Sequence, residues 1–304
     1  MANSPDTVTV QVPATSANLG CGFDSLGIAL TIHDEYTFRQ GEQAHVNVSG
    51  EASGEVPTGS DNLALLSARR LSAKIGKPFT HTTIDHISTI PISRGMGASG
   101  AAIAAGLSAA NHLFGNPLSI NELLQLGIEI EGPPDNVLPA LVGGLVVLAA
   151  NNVDAQWVRL ECPSCLQVAL AVPSLRISTS EAREVLPESV PFADAIHNIS
   201  RAALFVAAIQ NNRMDLLATG MQDRIHQPYR RALHPTMDKM IEAALAAGAA
   251  GAALSGSGST VVAFCEANAH AIAASMRLSC EATGIDCREY VCSPALDGAQ
   301  ISST

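Results

Sequence analysis

A chain of 304 residues with 47% hydrophobic, 4% aromatic and 15% charged residues holds enough apolar material for a large, mainly aliphatic core, and at this length one core tends to divide into two lobes. Its net charge of −11, with Lys74, Lys77 and Lys239 as the only lysines, excludes the basic face a nucleic acid needs but leaves room for a small anion held by a few arginines. No apolar run reaches the roughly 20 residues of a membrane span and "MANSPDTVTVQV" lacks a leader pattern, so a cytoplasmic protein with neither membrane nor nucleic-acid partner is expected.

"TVTVQVP" alternates, with Val8, Val10 and Val12 on one face, and predicts a strand ending at Pro13. "AHVNVSG" predicts another. "SDNLALLSARRLSAKIG" follows as a helix, with Ser60 or Asp61 as cap and Gly76 as stop. A strand through "HTTIDHI" leads into a glycine turn, and residues 98–113 read as a helix rich in small residues. "SINELLQLGIEIEG" predicts a second helix capped by Ser119, and "ALVGGLVVLAA" a buried strand bent at its two glycines.

Cys162 and Cys165 form a single C-x-x-C, and the seven cysteines are scattered and odd in number, which suits free thiols in a reducing compartment. A second lobe opens nearby with the strand "LQVALAVP". Helices follow around "ADAIHNISRAALFVAAIQ" and from Pro235 to Ala247, then a glycine turn between a helix and a strand in "GAALSGSGSTVVAF", a helix near 268–283, and a last strand "DCREYVC". The predicted division is 1–158 and 159–304.

"PISRGMGASGAAIAAGLSAAN", residues 91–111, contains G-x-G-x-x-G at Gly95, Gly97 and Gly100. A dinucleotide site would need a strand feeding the glycines directly and a second strand after the helix. Here Pro91 and Arg94 interrupt the approach, and a helix follows the helix. A Walker P-loop needs G-K-[ST], which is missing, as are V-A-I-K, H-R-D and D-F-G. Two readings stay open: glycines that bring backbone N–H groups and a helix start to an anion, or glycines that only permit close packing.

Three further stretches bear on that choice: "VPATSANLGCGFDSLGIAL" at 12–30, "EGPPDNVLPALVGG" at 131–144 and "GAALSGSGSTVVAF" at 251–264. In this order they resemble the GHMP kinases, small-molecule kinases of galactose, homoserine, mevalonate and phosphomevalonate. Within that family "PATSANLGCGFDSLGIAL", "STSEAREVLP" at 178–187 and "QPYRRALHP" at 227–235 are most similar to the homoserine kinases. The resemblance runs from residue 8 to about residue 265.

It implies an α+β fold of two lobes: an N-terminal ATP-binding lobe with a left-handed βαβ crossover and a C-terminal ferredoxin-like sandwich, assembled as a homodimer. It also implies that Pro91, Ile92, Ser93, Arg94, Gly95, Met96, Gly97, Ala98, Ser99, Gly100 and Ala101 wrap the phosphates of ATP. Asn18 and Asp24 would hold L-homoserine, with Asp24 at its ammonium. Arg183 and Arg230 would hold its carboxylate, which a guanidinium fork matches. Asp135, Asn136 and Thr179 would complete the pocket, with Asn136 and Arg183 beside the reacting hydroxyl and no general base.

The family pattern is altered in places. "GMGASG" stands for G-L-G-S-S-A, Pro133 stands where E-G-H-P-D-N has histidine, Ser259 replaces a proline, and the glutamate expected to hold Mg²⁺ falls on Gln125. Glu122 and Glu129 flank Gln125 at helical spacing, and Glu129 is the expected replacement beside Ser99. The resulting expectation is an ATP-dependent kinase that phosphorylates the side-chain hydroxyl of L-homoserine. The alternatives are a GHMP kinase with another hydroxyl acceptor, or a metabolite or nucleotide sensor whose metal site has decayed.

Overall fold

The Val8, Val10, Val12 alternation forms β1 (Thr7–Ala17), but the strand continues through Pro13. Its register against β2 (Leu26–Arg39) shifts between Pro13 and Ala14, and a bulge of this kind accommodates a residue that cannot donate to the ladder. This computed structural model describes residues 7–150 and 155–303.

β2 pairs with β1 along one edge; on the other its two halves take different partners. Glu35–Arg39 meet β4 (Thr83–Ser88), and Leu26–Ile28 meet β5 (Leu145–Ala150). Parallel to β4 lies β3 (His45–Gly50), joined to it through α1 (Leu63–Lys74). The helix is capped by the side chain of Asn62, not by Ser60 or Asp61, because the Asn62 carboxamide accepts from Ala64 N–H at 3.1 Å. β6 (Ala155–Leu160) continues this first sheet by pairing with β5.

α2 (Ala98–Leu113) packs on α1 and β1. A Cβ at Gly106 would lie 2.0 Å from the Ala64 carbonyl, so the small residues of α2 are what let it approach α1 so closely. α3 (Ile120–Glu131) starts in a capping box between Ser119 and Glu122. "ALVGGLVVLAA" is not a single strand: its first residues end α4 (Val137–Val142), and Gly143 and Gly144 take positive φ before β5 begins.

The second sheet consists of β7 (Gln167–Pro173), β8 (Gly251–Leu254), β9 (Val261–Cys265) and β10 (Cys287–Cys292). Its order is β10-β7-β9-β8 with every pair antiparallel, the split βαβ arrangement of a ferredoxin-like sandwich. Between β7 and β8 come α5 (Thr179–Glu184), α6 (Phe192–Gln210), α7 (Leu217–Gly220), α8 (Gln227–Arg230) and α9 (Met237–Ala246). α10 (Ala269–Glu281) crosses between β9 and β10. Met237, Met240, Ala273 and Met276 from α9 and α10 fill one side of the sheet against Ala169 and Val261. The glycine turn at 255–260 therefore joins two strands, not a helix and a strand.

The predicted cut between 158 and 159 falls inside β6, so the first sheet extends through Leu160. The end of the chain also returns: β11 (Gln300–Ser303) pairs with β1 and gives the first sheet its outer edge.

Candidate active site

A cleft of about 340 Å³ opens where elements of the two sheets meet, with walls from the 18–24 loop, the glycine turn, the ends of α3 and α4, α5, and the 255–258 loop. The glycine turn forms its floor. Ile177 N–H donates to the Ser93 carbonyl at 3.2 Å, Thr260 N–H to Arg94 at 3.0 Å and Thr15 N–H to Met96 at 3.1 Å. The Ser255 hydroxyl holds the Gly95 carbonyl at 2.5 Å. In a trans peptide the N–H points opposite the carbonyl, so anchoring four successive carbonyls to the protein turns the following amides the other way.

α2 begins at the same place. Its N-cap is Gly97 at φ +69, and no side chain caps it, which leaves the first-turn amides at Ala98 and Ser99 available to an anion in the cleft. The three glycines are also sterically required. A Cβ would lie 2.1 Å from the Ser255 carbonyl at Gly95, 1.8 Å from Thr15 Oγ1 at Gly97 and 2.9 Å from Asn136 Cβ at Gly100. Close packing and amide presentation are thus properties of one turn.

Of the residues expected at the phosphates, Pro91, Ile92, Ser93, Gly95, Met96, Gly97, Ala98 and Ser99 line the cleft. Arg94, Gly100 and Ala101 do not. The Arg94 guanidinium donates instead to the carbonyls of Ile92 at 2.7 Å and Pro173 at 3.2 Å, tying the turn to β7. Gly100 and Ala101 lie on the packed side of α2.

Glu129 is exposed on α3 and lines no part of the cleft. The carboxylate beside Ser99 on the cleft belongs to Glu131; burial raises its pKa and the serine lowers it. Glu131 is also exposed, but it stands one turn beyond Gly127 at the end of α3, whereas 129 follows the face of Gln125. A hydroxyl and a carboxylate beside the glycine turn are oxygen donors of the kind a hard cation takes.

At the opposite end the chemistry is charged. Arg183 makes a fork to Asp24, with Nη2 to Oδ1 at 2.8 Å and Nη1 to Oδ2 at 3.2 Å. Arg230, 3% exposed, donates from Nε to the Ala182 carbonyl at 3.1 Å and from Nη1 to the Gly256 carbonyl at 2.9 Å. Burial, then the neighbouring Arg183 charge, lowers its pKa to about 10, so it stays cationic near neutrality. Both guanidiniums lie over the Phe23 ring, at 5.5 and 5.4 Å from its centroid.

Asn18 joins the two lobes at this point. Its Nδ2 donates to the Gly256 carbonyl at 2.9 Å, and its Oδ1 accepts from Asp24 N–H at 3.0 Å. Buried His226 holds the same loop: Nε2–H donates to the Gly20 carbonyl at 2.7 Å, leaving Nδ1 to accept from Arg230 Nη1 at 3.2 Å. Burial drives the His226 pKa to about 4, which keeps that ring neutral. Asp135 is buried, and burial first, then Asp24, pushes its carboxyl up to about 8, with Arg183 opposing. Asn136 Oδ1 accepts from the Thr15 hydroxyl at 2.8 Å, and Thr179 stands exposed on the cleft wall at the start of α5. All six residues expected at the amino acid, with Asn136, therefore line one cleft.

Residues 62–144 match the family GHMP kinases N terminal domain, and residues 205–282 match GHMP kinases C terminal. A homoserine kinase of Moorella thermoacetica is 39% identical over 292 residues, covering 96% of this chain and 99% of the relative. One from a Synechococcus species is 40% identical over 289 residues, covering 93% and 91%. The chain belongs to the homoserine kinase family. A crystal structure of homoserine kinase from Cytophaga hutchinsonii superposes with a TM-score of 0.89 at 30% identity over 99% of both chains. A mevalonate kinase at 15% identity, with a TM-score of 0.68, shares the fold.

As a homoserine kinase family member the protein is an ATP-dependent kinase, and its departures from the family pattern now have positions. Gln125 lines no part of the cleft, while Pro133 does. The Ser259 hydroxyl donates to the Leu175 carbonyl at 2.5 Å, tying the 255–260 turn to the chain after β7. Sequence reasoning missed Phe23, Tyr36, Val56, Pro57, Asn62, Leu63, His86 and Glu131 as cleft residues. Only Glu131 carried a local signal, its place one helical turn beyond Gly127 on α3.

Proposed function

We propose that this protein transfers the γ-phosphoryl group of ATP to the side-chain hydroxyl of L-homoserine, giving O-phospho-L-homoserine and ADP. The observation that carries the reading is the Asp24–Arg183 pair, with Arg230 beside it, at the end of a cleft whose floor is a helix N-terminus. A zwitterionic amino acid can replace such a pair without leaving either charge unmatched: its ammonium takes Asp24, and its carboxylate takes the guanidinium forks of Arg183 and Arg230. An uncharged alcohol would have to break the pair and return nothing.

The hydroxyl oxygen bonds to the γ-phosphorus as the bond to the β–γ bridging oxygen breaks, and ADP leaves with that electron pair. The hydroxyl proton passes to the transferred phosphoryl group. Catalysis then rests on placement and charge neutralisation. The amides of Gly95 to Ser99 hold the triphosphate, and Asn136, fixed by Thr15, and Arg183 sit at the acceptor. Burial pushes the Asp135 carboxyl up to about 8, which suits a hydrogen-bond partner. Ser99 and Glu131 would hold Mg²⁺, which when bound supplies charge neutralisation at the phosphates.

A cytoplasmic homodimer is part of the same proposal. α6 is long and apolar enough to cross a membrane, yet Asn198, Phe205, Ala208 and Ile209 pack into the lobe and Asp194 and Arg201 interrupt its surface. The deciding experiment is ADP release from ATP with L-homoserine against a panel of amino acids and uncharged alcohols. Turnover confined to L-homoserine is expected. Equal turnover with an alcohol lacking the amino-acid moiety overturns the reading.

A further inference from the structure

Arg230 is tied to the protein through two of its three nitrogens: Nε donates to the Ala182 carbonyl, and Nη1 donates both to the Gly256 carbonyl and to His226 Nδ1. Among the described residues Nη2 takes no protein acceptor. Nor is it sealed from solvent, and Arg230 lines the cleft, so Nη2 is the edge of the guanidinium that the cleft sees. A guanidinium on its long side chain keeps one such orientation only when its other nitrogens are held.

His226 supplies the one side-chain acceptor in that set, and its tautomer is fixed from the other side. Nε2 faces the Gly20 carbonyl at 2.7 Å, which only accepts, so the proton sits on Nε2 and Nδ1 is left to accept from Arg230 Nη1 at 3.2 Å. A protonated ring would set an N–H against an N–H. The ring is fully buried and stacks on Phe23, with centroids 5.1 Å apart. The Asp223 carboxylate fixes the backbone here: it accepts from the N–H groups of Ile225, His226 and Gln227 at 2.7 to 3.1 Å and from Asn198 Nδ2 at 2.7 Å, and it lies 3.5 Å from His226 Nε2. Burial outweighs that anion and keeps the ring neutral. His226 itself lines no part of the cleft.

We propose that His226 is a positioning residue for the acceptor: by holding Arg230 Nη1 while it grips the Gly20 carbonyl, it aims Nη2 at the acceptor's carboxylate and ties the loop that carries Asp24 to the helix that carries Arg230. The inference rests on the homoserine kinase reading and deepens it. Asp24 and Arg230 face opposite charges of one small molecule, so a ring bonded to both segments makes the two halves of the clamp a single unit.

Two variants separate the ring's two bonds. His226→Gln keeps an N–H for Gly20 and offers Arg230 no acceptor at the Nδ1 position, whereas His226→Asn keeps an oxygen there and gives up Gly20. Steady-state kinetics of the full-length protein are expected to show kcat/KM for L-homoserine falling about 10-fold in His226→Gln and by no more than about 3-fold in His226→Asn, with KM for ATP unchanged in both. A ring that only supports the fold gives the opposite order, since glutamine fills more of its space and spares the bond to Gly20. Arg230→Gln is expected to lose about 100-fold, and the double variant of His226→Gln with Arg230→Gln no more than about 2-fold beyond that. His226→Phe, which keeps a ring on Phe23, replaces the glutamine variant in this cycle if the latter does not fold. Losses that multiply in the double variant, or a larger loss in His226→Asn than in His226→Gln, overturn the inference and leave the kinase reading intact. Absence of wild-type turnover with L-homoserine overturns both.

Discussion

The two ends of the cleft are built from different materials. The end proposed for the phosphates is backbone: four consecutive carbonyls anchored behind a turn, three glycines that admit no Cβ and an uncapped helix start, all within residues 93–100. The end proposed for the amino acid is side chains drawn from across the chain, with Asp24 and Arg183 separated by 159 residues and Arg230 anchored on the 255–258 loop. A site made of backbone fails when an atom is added, and a site made of side chains fails when a charge is removed or moved.

The largest effect is expected from adding atoms. Gly97→Val places a branched side chain at φ +69, where even the Cβ would lie 1.8 Å from Thr15 Oγ1 and 3.0 Å from Asn136 Oδ1. Turnover should fall by about 1000-fold or more and stability by about 2–4 kcal/mol, because strain at a special φ adds to a backbone clash. Gly132 is the control, since it has φ +95 but nothing within 4 Å of its Cβ direction. Gly132→Ala should cost about 1 kcal/mol in urea unfolding, with turnover little changed. Equal losses in the two variants would show that conformation alone, and not the approach of Thr15 and Asn136, makes Gly97 necessary.

An intermediate effect distinguishes the carboxylates of α3. Glu131→Gln removes the charge beside Ser99 and should raise the Mg²⁺ concentration for half-maximal turnover about 10-fold, whereas Glu129→Gln should leave it unchanged. Calorimetric titration of Mg²⁺ into the ADP-bound protein gives the same comparison without catalysis. A shift in the Glu129 variant alone would return the metal to the residue expected from helical spacing around Gln125.

The backbone end was the more legible in sequence, and the reason is locality. α2 occupies residues 98–113 as its run of small residues predicts, and α3 starts on Ser119 with its capping box. β2 went unread because its first half, "LGIAL", is buried throughout and shows no alternation; only Tyr36 and Phe38 in its second half show period two. Arg94 was expected at the phosphates because it lies in the turn, yet its side chain is held by Ile92 and Pro173. The amino-acid end was visible only through family resemblance, since no spacing relates Asp24 to Arg183. His226 had neither local pattern nor motif, because its meaning depends on Gly20, 206 residues away.

The smallest effect concerns a side chain at the charged end that is kept uncharged. Burial and the Asp24 charge push the Asp135 carboxyl up to about 8 from an ordinary 3.8. Between those two pH values the unfolded chain ionises this group while the folded chain keeps its proton, so the unfolded state binds fewer protons and stability falls as pH rises through the window. Asp135→Asn removes the ionisable group, so relative to wild type its stability in urea unfolding should rise by about 1.4 kcal/mol for each pH unit between pH 5 and pH 8. Parallel stability curves for the two proteins would mean that Asp135 is already ionised in the empty site. The amino-acid end would then carry two anions facing Arg183 and Arg230. In the arrangement described here Asp24 is the anion paired with Arg183, and an incoming ammonium strengthens the field that draws the proton from Asp135. Saturating L-homoserine should therefore flatten the wild-type pH dependence toward that of the variant.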